Sequence, residues 1–163
     1  MVTLRPMTGL EFETWREIAI RHHAEQMSRA AGTSLEVSLD EAGQLLPTVL
    51  VDGLNTRAMN FFVVKAAGHR VGWLWIGSSP GDPHAGFVWD IIIDDAWRGR
   101  GYGRAAMVAA ERFFEEQGKV RIGLQVAARN DVARHLYESM GYCDVATRGV
   151  LTTMSKTLDS GRR

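Results

Sequence analysis

The sequence predicts a mixed α/β fold, a sheet with both parallel and antiparallel strands and helices packed on it. Three observations predict it. Apolar residues recur at helical spacing through the first fifty residues, the middle switches to Phe-, Val-, Trp- and Ile-rich runs, and two later stretches of helical spacing alternate with such runs. Glycine or proline punctuates most of the changes of period. The predicted order is β-α-α-β-β-β-α-β-α-β-β, seven strands and four helices.

Val2 to Arg5 reads as a first strand ending at Pro6. Thr8-Gly9-Leu10-Glu11 is a capping-box pattern, and Phe12, Trp15, Ile18, Ala19 and His22 extend a helix to about Ala31, where Gly32 stops it. Ser38-Leu39-Asp40-Glu41 repeats the pattern and is expected to open a second helix with Leu39, Ala42, Leu46 and Leu50 on one face, kinked or split by Pro47. Asp52 to Thr56 reads as a loop. Asn60–Ala67 and Arg70–Ser78 form a predicted hairpin, Ser79-Pro80-Gly81-Asp82-Pro83 a loop, and Gly86–Ile93 the next strand. A helix from about Gly103 to Gln117, a strand from Arg121 to Val126 and a helix from Asp131 to Met140 come next, and strands at Tyr142–Thr147 and Val150–Lys156 close the sheet. The connections after Ile93 and Val126 are long enough to join parallel strands. The domain is expected to run from 1 to 157, with 158–163 a flexible tail.

Composition narrows the function classes. The 163 residues suffice for one domain, and 45% apolar with 23% charged residues is an ordinary globular balance. Nineteen basic residues against nineteen acidic ones leave no net field to gather nucleic acid or an anionic membrane. The longest apolar runs are about six residues, against the ~20 that span a bilayer. The amino terminus mixes charges into its first turns, so a soluble, cytoplasmic protein is expected. The single cysteine, Cys143, excludes an internal disulfide and a cysteine-based zinc cluster, and is read as a small buried residue. His22, His23, His69, His84 and His135 show no metal-ligand spacing, so no metal is expected.

The segment that carries chemistry is Trp89 to Ala106, a strand running into Arg98-Gly99-Arg100-Gly101-Tyr102-Gly103-Arg104 and then a helix. Glycines there permit positive φ and leave backbone N–H groups uncovered at the positive end of a helix dipole, a site for phosphate oxygens. Each such contact supplies only about 0.3–2 kcal/mol, so several must converge, and Arg98, Arg100 and Arg104 would add charge-assisted bonds. A P-loop is excluded because no Gly-Lys-Ser/Thr ends the run. A dinucleotide fingerprint on Gly101, Gly103 and Ala106 lacks its acidic residue, since the expected position falls near Gln125. A turn needing glycine for packing alone stays open.

Arg98-x-x-Gly101-x-Gly103 resembles the Gln/Arg-x-x-Gly-x-Gly/Ala motif of the GNAT acetyltransferases, the acetyl-CoA-dependent N-acyltransferases. Leu124-x-Val126-x-x-x-Asn130-x-x-Ala133-x-x-Leu136-Tyr137-Glu138-x-x-Gly141-Tyr142 looks like their next strand and helix. The likeness covers Ala85 to Lys156, and the first eighty residues fit loosely. It implies a mostly antiparallel mixed sheet of six to seven strands, flanked by about four helices and splayed between the fourth and fifth strands. Acetyl-CoA as co-substrate would lie in that splay, between the strands ending at Ile93 and Val126. Backbone amides of Arg98, Gly99, Arg100, Gly101, Tyr102, Gly103 and Arg104 would cradle its pyrophosphate. The strand end Ile91-Ile92-Ile93 would pair with its pantetheine arm, one N–H of Ile91 or Ile93 polarising the thioester carbonyl.

The resemblance implies further roles, each weighed against a plainer reading. Asn130 would contact pantetheine or position the helix start. Tyr137 would protonate the departing thiolate, the ordinary thiol pKa of about 8.5 and phenol pKa of about 10 being close enough, or would simply pack. Asp90, acting through an ordered water, would take the proton of the attacking amine, or would orient the turn. Arg134 would reach the coenzyme's 3′-phosphate or lie in solvent. For the acceptor, Trp73, Trp75 and Trp89 form an aromatic wall or ordinary core, with Asn55 in the neighbouring loop. The implied reaction is direct acetyl transfer to a primary amine, on a small molecule or a peptide, in a ternary complex. No nucleic-acid or membrane partner is expected, and a homodimer is open. A catalytically silent acyl-CoA-binding module and a nucleotide-binding oxidoreductase are the rival readings.

Overall fold

The computed structural model describes residues 1–159. They form β1 (Thr3–Pro6), α1 (Gly9–Ala31), α2 (Leu35–Val49), β2 (Met59–Ala66), β3 (His69–Ser79), β4 (Asp82–Ile93), α3 (Tyr102–Glu116), β5 (Arg121–Ala127), α4 (Asp131–Ser139), β6 (Cys143–Arg148) and β7 (Leu151–Thr157). Two 3₁₀ turns, Gly53–Asn55 and Asp95–Trp97, interrupt the connections. The seven strands make one sheet in the order β1-β2-β3-β4-β5-β7-β6. This is the mixed sheet with four helices that the sequence predicts. Of the expected tail, residues 160–163 lie outside the described residues, while Leu158 is 4% exposed and donates its N–H to the Val120 carbonyl at 2.9 Å.

The chain divides into two compact units, each described by itself. The first comprises Met1–Met7, Ala58–Leu124 and the described residues from Ser155 onward. Its strands β1 to β4 form an antiparallel meander. The middle of β3, Val71 to Gly77, is buried on both faces, so its run of Val, Trp, Leu and Ile shows no polar alternation. The expected loop at Ser79–Pro83 is instead a tight hairpin. Ser79 pairs with Asp82 across Pro80-Gly81, with Gly81 at φ +74, and β4 begins four residues earlier than periodicity suggests. Proline at the first central position and a left-handed glycine at the second are the chemistry of a type II turn.

Helix α3 packs on β4 through a glycine contact. A Cβ on Gly86 would collide with the Phe114 ring, so only glycine admits the aromatic there. Glu111, 9% exposed, accepts two bonds from Lys156 Nζ at 3.0 and 3.1 Å, which satisfies a carboxylate that burial would otherwise penalise.

The second unit comprises Thr8–Arg57 and Gln125–Met154. The capping box of α1 forms as predicted: the Glu11 amide donates to Thr8 Oγ1 at 3.2 Å and the Thr8 amide to Glu11 Oε2 at 2.8 Å. Gly32, at φ +70, ends the helix. The start of α2 corrects the sequence reading. Ser34, not Ser38, is the N-cap, accepting from the Val37 amide at 3.2 Å. Ser38 lies one turn inside, 2% exposed, with its hydroxyl 2.9 Å from that of Thr33. Pro47 does not split α2, which continues to Val49. Cys143 is exposed, not buried, at the start of an edge strand whose six residues are all exposed. Among the described residues no helix is long and apolar enough to cross a membrane.

Candidate active site

Strand β4 changes character halfway along. Its first half is zipped to β5 in parallel, from Ala85↔Arg121 to Val88↔Leu124. From Trp89 to Ile93 the strand runs on beyond that register. The change coincides with a bulge: Val88 pairs with Ile76 and Asp90 with Trp75, so Trp89 is the extra residue and opposes Trp75 together with Asp90. A bulge bends its strand and re-aims the residues beyond it.

The direction of each amide in the second half is set by one bond. Asp94 donates its N–H to the Val71 carbonyl of β3 at 2.9 Å. Because N–H and C=O groups alternate sides along a strand, those of Ile92 also face β3, and those of Ile91 and Ile93 face the opposite edge. The close approach of the Ile92 carbonyl to a Cβ built on Gly72 is consistent with this. The Ile93 carbonyl on the outward edge receives Arg98 Nε at 2.9 Å. The outward edge therefore offers the N–H groups of Ile91 and Ile93 while its last acceptor is taken. It is biased toward donation.

Two ion pairs fasten the turn after β4. Arg98 Nη2 meets Asp95 at 3.0 Å, and Arg70 Nε meets Asp94 at 3.1 Å while its guanidinium lies 4.5 Å from the centre of the Trp73 ring. Sequence alone assigns Arg98 a bond to phosphate; in this structure its side chain braces the turn. Arg100 lies 5.2 Å from the Trp97 ring centre, and Trp97 stacks on His69 at 5.6 Å. Sequence reasoning misses this aromatic brace, whose members come from β3 and the turn.

Gly99 and Gly101 adopt φ +72 and +83, whereas Gly103 is the second residue of α3. Two of the three glycines thus use the left-handed region that L side chains disfavour. A Cβ at either would meet nothing within 4 Å, so conformation and not crowding demands glycine there, and open space adjoins both. The first helical bond runs from the Ala105 N–H to the Gly101 carbonyl at 3.0 Å. The amides of Tyr102, Gly103 and Arg104 therefore precede the helical ladder, and the N-cap glycine has no side chain to accept them. Converging amides, a helix dipole and open space fit a pyrophosphate group.

The predicted tryptophans belong to one aromatic stack in part. Trp75 stacks on Trp89 at 5.2 Å and 15°, Phe61 on Trp75 at 5.9 Å, and Phe87 meets Trp89 edge-on at 5.0 Å. Trp89 is half-buried, donating Nε1 to the Ser78 carbonyl at 3.3 Å. Trp73 is 1% exposed and Trp75 6%. Asp90 is half-buried beside Trp89.

In the second unit, Asn130 caps α4: its Oδ1 accepts from the Ala133 amide at 3.3 Å, and its Nδ2 donates to Gln26 Oε1 at 2.8 Å. No sequence signal singles out Gln26, 104 positions away. Tyr137 is 7% exposed, its ring 5.9 Å from that of Tyr142. Arg134 bonds Asp144 at 2.6 Å and Glu138 at 2.9 Å, and the Asp144 hydrogen bond holds its guanidinium pKa above the ordinary value. Asn55 is exposed in the first 3₁₀ turn. No cluster of three or more metal-ligating side chains occurs among the described residues.

Residues 19–142 match the model of the acetyltransferase (GNAT) family. The chain is 30% identical over 143 residues to the uncharacterized N-acetyltransferase YycN of Bacillus subtilis (strain 168), covering 86% of this chain and 92% of that one. It is 28% identical over 142 residues to the uncharacterized N-acetyltransferase YdgE of the same organism, covering 86% and 90%. The crystal structure of YycN superimposes with a TM-score of 0.84 at 29% identity, over 91% of this chain and 96% of that chain. Spermidine N-acetyltransferase from Vibrio cholerae, solved with CoA and spermine, shares the fold, with a TM-score of 0.68 at 20% identity over 98% of this chain and 96% of that chain. With more than half of its length matched by the family model and its sheet arranged as in these structures, the chain belongs to the GNAT acetyltransferase family.

Proposed function

We propose that this protein transfers an acetyl group from acetyl-CoA to a primary amine by direct attack within a ternary complex. The observation that carries the reading is the second half of β4: it leaves the β5 register at Val88, presents the N–H groups of Ile91 and Ile93, and runs into left-handed glycines and an uncapped helix start. Acetyl-CoA supplies the acetyl group as a thioester. The amides from Gly99 to Arg104 hold the diphosphate and fix how far the pantetheine arm reaches. The N–H groups of Ile91 and Ile93 pair with that arm, and one of them stabilises charge developing on the thioester carbonyl. The bond from Arg98 to the Ile93 carbonyl keeps this edge in donor form.

An alkylammonium with an ordinary pKa of about 10.4 must lose a proton before it attacks. Asp90 takes that proton through an ordered water, and Tyr137 returns one to the departing thiolate. Trp89, stacked on Trp75 beside Asp90, gives the acceptor an aromatic surface against which to lie. Asn130 holds the start of α4 and thereby the helix that carries Tyr137.

Release of free thiol from acetyl-CoA across a panel of polyamines, amino acids, aminoglycosides and peptide amino termini tests the reading. At least one acceptor is expected to give turnover that falls by about 10²–10⁴ in Tyr137→Phe and in Asp90→Asn with KM for acetyl-CoA little changed. Coenzyme binding without thiol release in every class would instead mark a silent acyl-CoA-binding module. A thermal shift with NAD(P) and none with CoA would mark a nucleotide-binding protein.

A further inference from the structure

We propose that Gln26 of α1 is a positioning residue for the transfer reaction, orienting Asn130 and, through it, the start of α4. The proposal rests on the direct-transfer reading above, in which α4 carries Tyr137. All of the residues involved belong to the second unit. On α1, Phe12, Trp15 and Ala19 form a buried face, and His22 and Gln26 continue it at the same alternating spacing of three and four residues. Two polar side chains, both half-buried, thus stand where the face would otherwise present apolar ones. A polar group in such a place is tolerated when it has hydrogen-bond partners. Gln26 has one at each end of its amide: Oε1 accepts from Asn130 Nδ2 at 2.8 Å, and Nε2 lies 3.1 Å from His22 Nε2.

The polarity of this chain of bonds is set at its far end by a group that cannot turn round. The backbone N–H of Ala133 donates to Asn130 Oδ1 at 3.3 Å, which makes Nδ2 the end that faces Gln26. An amide nitrogen only donates, so Gln26 must offer Oε1, and its own Nε2 is turned toward His22. His22 Nε2 then has to accept, which places the imidazole proton on Nδ1. Three side chains in a row are thus oriented by one backbone amide.

Asn130 sits at a turn that needs an outside anchor. Arg129, just before it, has φ +70, a left-handed conformation that residues other than glycine disfavour. Asn130 itself, at φ −88 and ψ 67, lies outside the extended region usual for an N-cap. Strain of this kind persists where the surrounding contacts over-determine the backbone. The Ala128 N–H donates to the Val150 carbonyl at 2.7 Å and the Asn130 N–H to the Ala127 carbonyl at 3.2 Å, which holds the turn, and the bond to Gln26 ties the cap side chain to α1. Tyr137 follows two helical turns later, roughly 10 Å along α4. A change in how α4 starts is therefore carried to Tyr137, and a misplacement of about 1 Å at a reacting group costs on the order of 10²-fold in rate.

Gln26→Met keeps the length of the side chain but not its acceptor. It is expected to lower kcat for thiol release by about tenfold or more per folded molecule, with KM for acetyl-CoA within about twofold of the parent. Gln26→Glu keeps an acceptor for Asn130 Nδ2 and should recover most of that loss. His22→Leu leaves the bond between Gln26 and Asn130 in place and should cost less than Gln26→Met. Long-range proton–nitrogen correlation spectra of the intact chain give a readout independent of turnover. The His22 proton is expected on Nδ1 in the parent and on Nε2 in the glutamate variant, where a carboxylate oxygen faces it. A parent proton on Nε2, an unchanged kcat in Gln26→Met, or equal losses in the methionine and glutamate variants would overturn the proposal. Absence of turnover from the parent with every acceptor would instead remove the transfer reading and the kinetic role with it, and the imidazole spectra would then decide the relay by themselves.

Discussion

The two halves of β4 share one strand but have opposite uses. From Gly86 to Val88 the strand is satisfied on both edges, zipped to β3 and β5 and packed on Phe114 through Gly86. From Trp89 to Ile93 it keeps β3 and runs on beyond its register with β5, and a bulge, an Arg98 brace and an Arg70–Asp94 pair hold it in place. A closed edge stabilises the fold and can bind nothing. An open edge can add a ligand as an extra strand, provided other contacts keep it rigid. In the proposed function, the site is built by leaving one strand pairing unmade and replacing the lost rigidity with side-chain braces.

Substitutions in the two halves should therefore fail differently. The largest effect on stability is expected at Gly86→Ala in the closed half. Its methyl would collide with the Phe114 ring, and overpacking of this kind costs about 1–3 kcal/mol. Thermal melting should fall, while thiol release per folded molecule stays as in the parent. Gly101→Ala meets no steric obstacle, but its left-handed φ costs about 1–2 kcal/mol. Part of that strain is expected to appear as a rise of roughly tenfold in KM for acetyl-CoA, because a turn that relaxes moves its amides off the diphosphate. An unchanged KM would detach the glycine turn from the coenzyme.

Arg98 offers an intermediate case. Arg98→Gln can keep one bond to the Ile93 carbonyl and Arg98→Ala cannot. Loss of kcat in the alanine variant with recovery in the glutamine variant, at similar KM, would locate its role in orienting the strand end. A rise in KM alone, equal in both, would locate it on phosphate.

The smallest effect concerns pH at the closed end. The Arg121 hydrogen bond, with a second from the His84 amide, holds the Asp82 carboxyl below its ordinary value of 3.8. A depressed carboxylate pKa stabilises the fold above 3.8, and the contribution is lost as pH falls through the lower folded value. Melting temperatures of the parent and Asp82→Asn, compared from pH 7 to 2, should converge at the acid end, with no matching change in coenzyme affinity at neutral pH.

Legible and hidden features of the sequence divide along the same line. The glycine turn is legible because left-handed φ demands one residue type, and Gly99 and Gly101 use it. The caps at Thr8 and Gly32 are legible for the same local reason. The start of α2 is easily misread because Ser38 carries the capping-box pattern with Glu41, whereas Ser34, the residue that caps the helix, has Val37 at that position, and Ser38 is buried. The bulge at Trp89 has no signature, since it exists only in the cross-strand register with Trp75 and Ile76. The exposure of β6 is equally hidden: alternation along Cys143–Arg148 does not reveal that no face is covered. The aromatic stack of Phe61, Trp75 and Trp89, which we propose the acceptor meets, belongs with these, because it is assembled from three strands.

The central claim is that backbone amides at the open end of β4 and the glycine turn receive the coenzyme. Amide chemical shifts monitored during titration with CoA test it most directly. The account predicts that the resonances of Ile91, Ile93 and Gly99 to Arg104 move most and saturate together, while Ala85 to Val88 stay fixed. Saturable binding that leaves the turn and the strand end unmoved would contradict it.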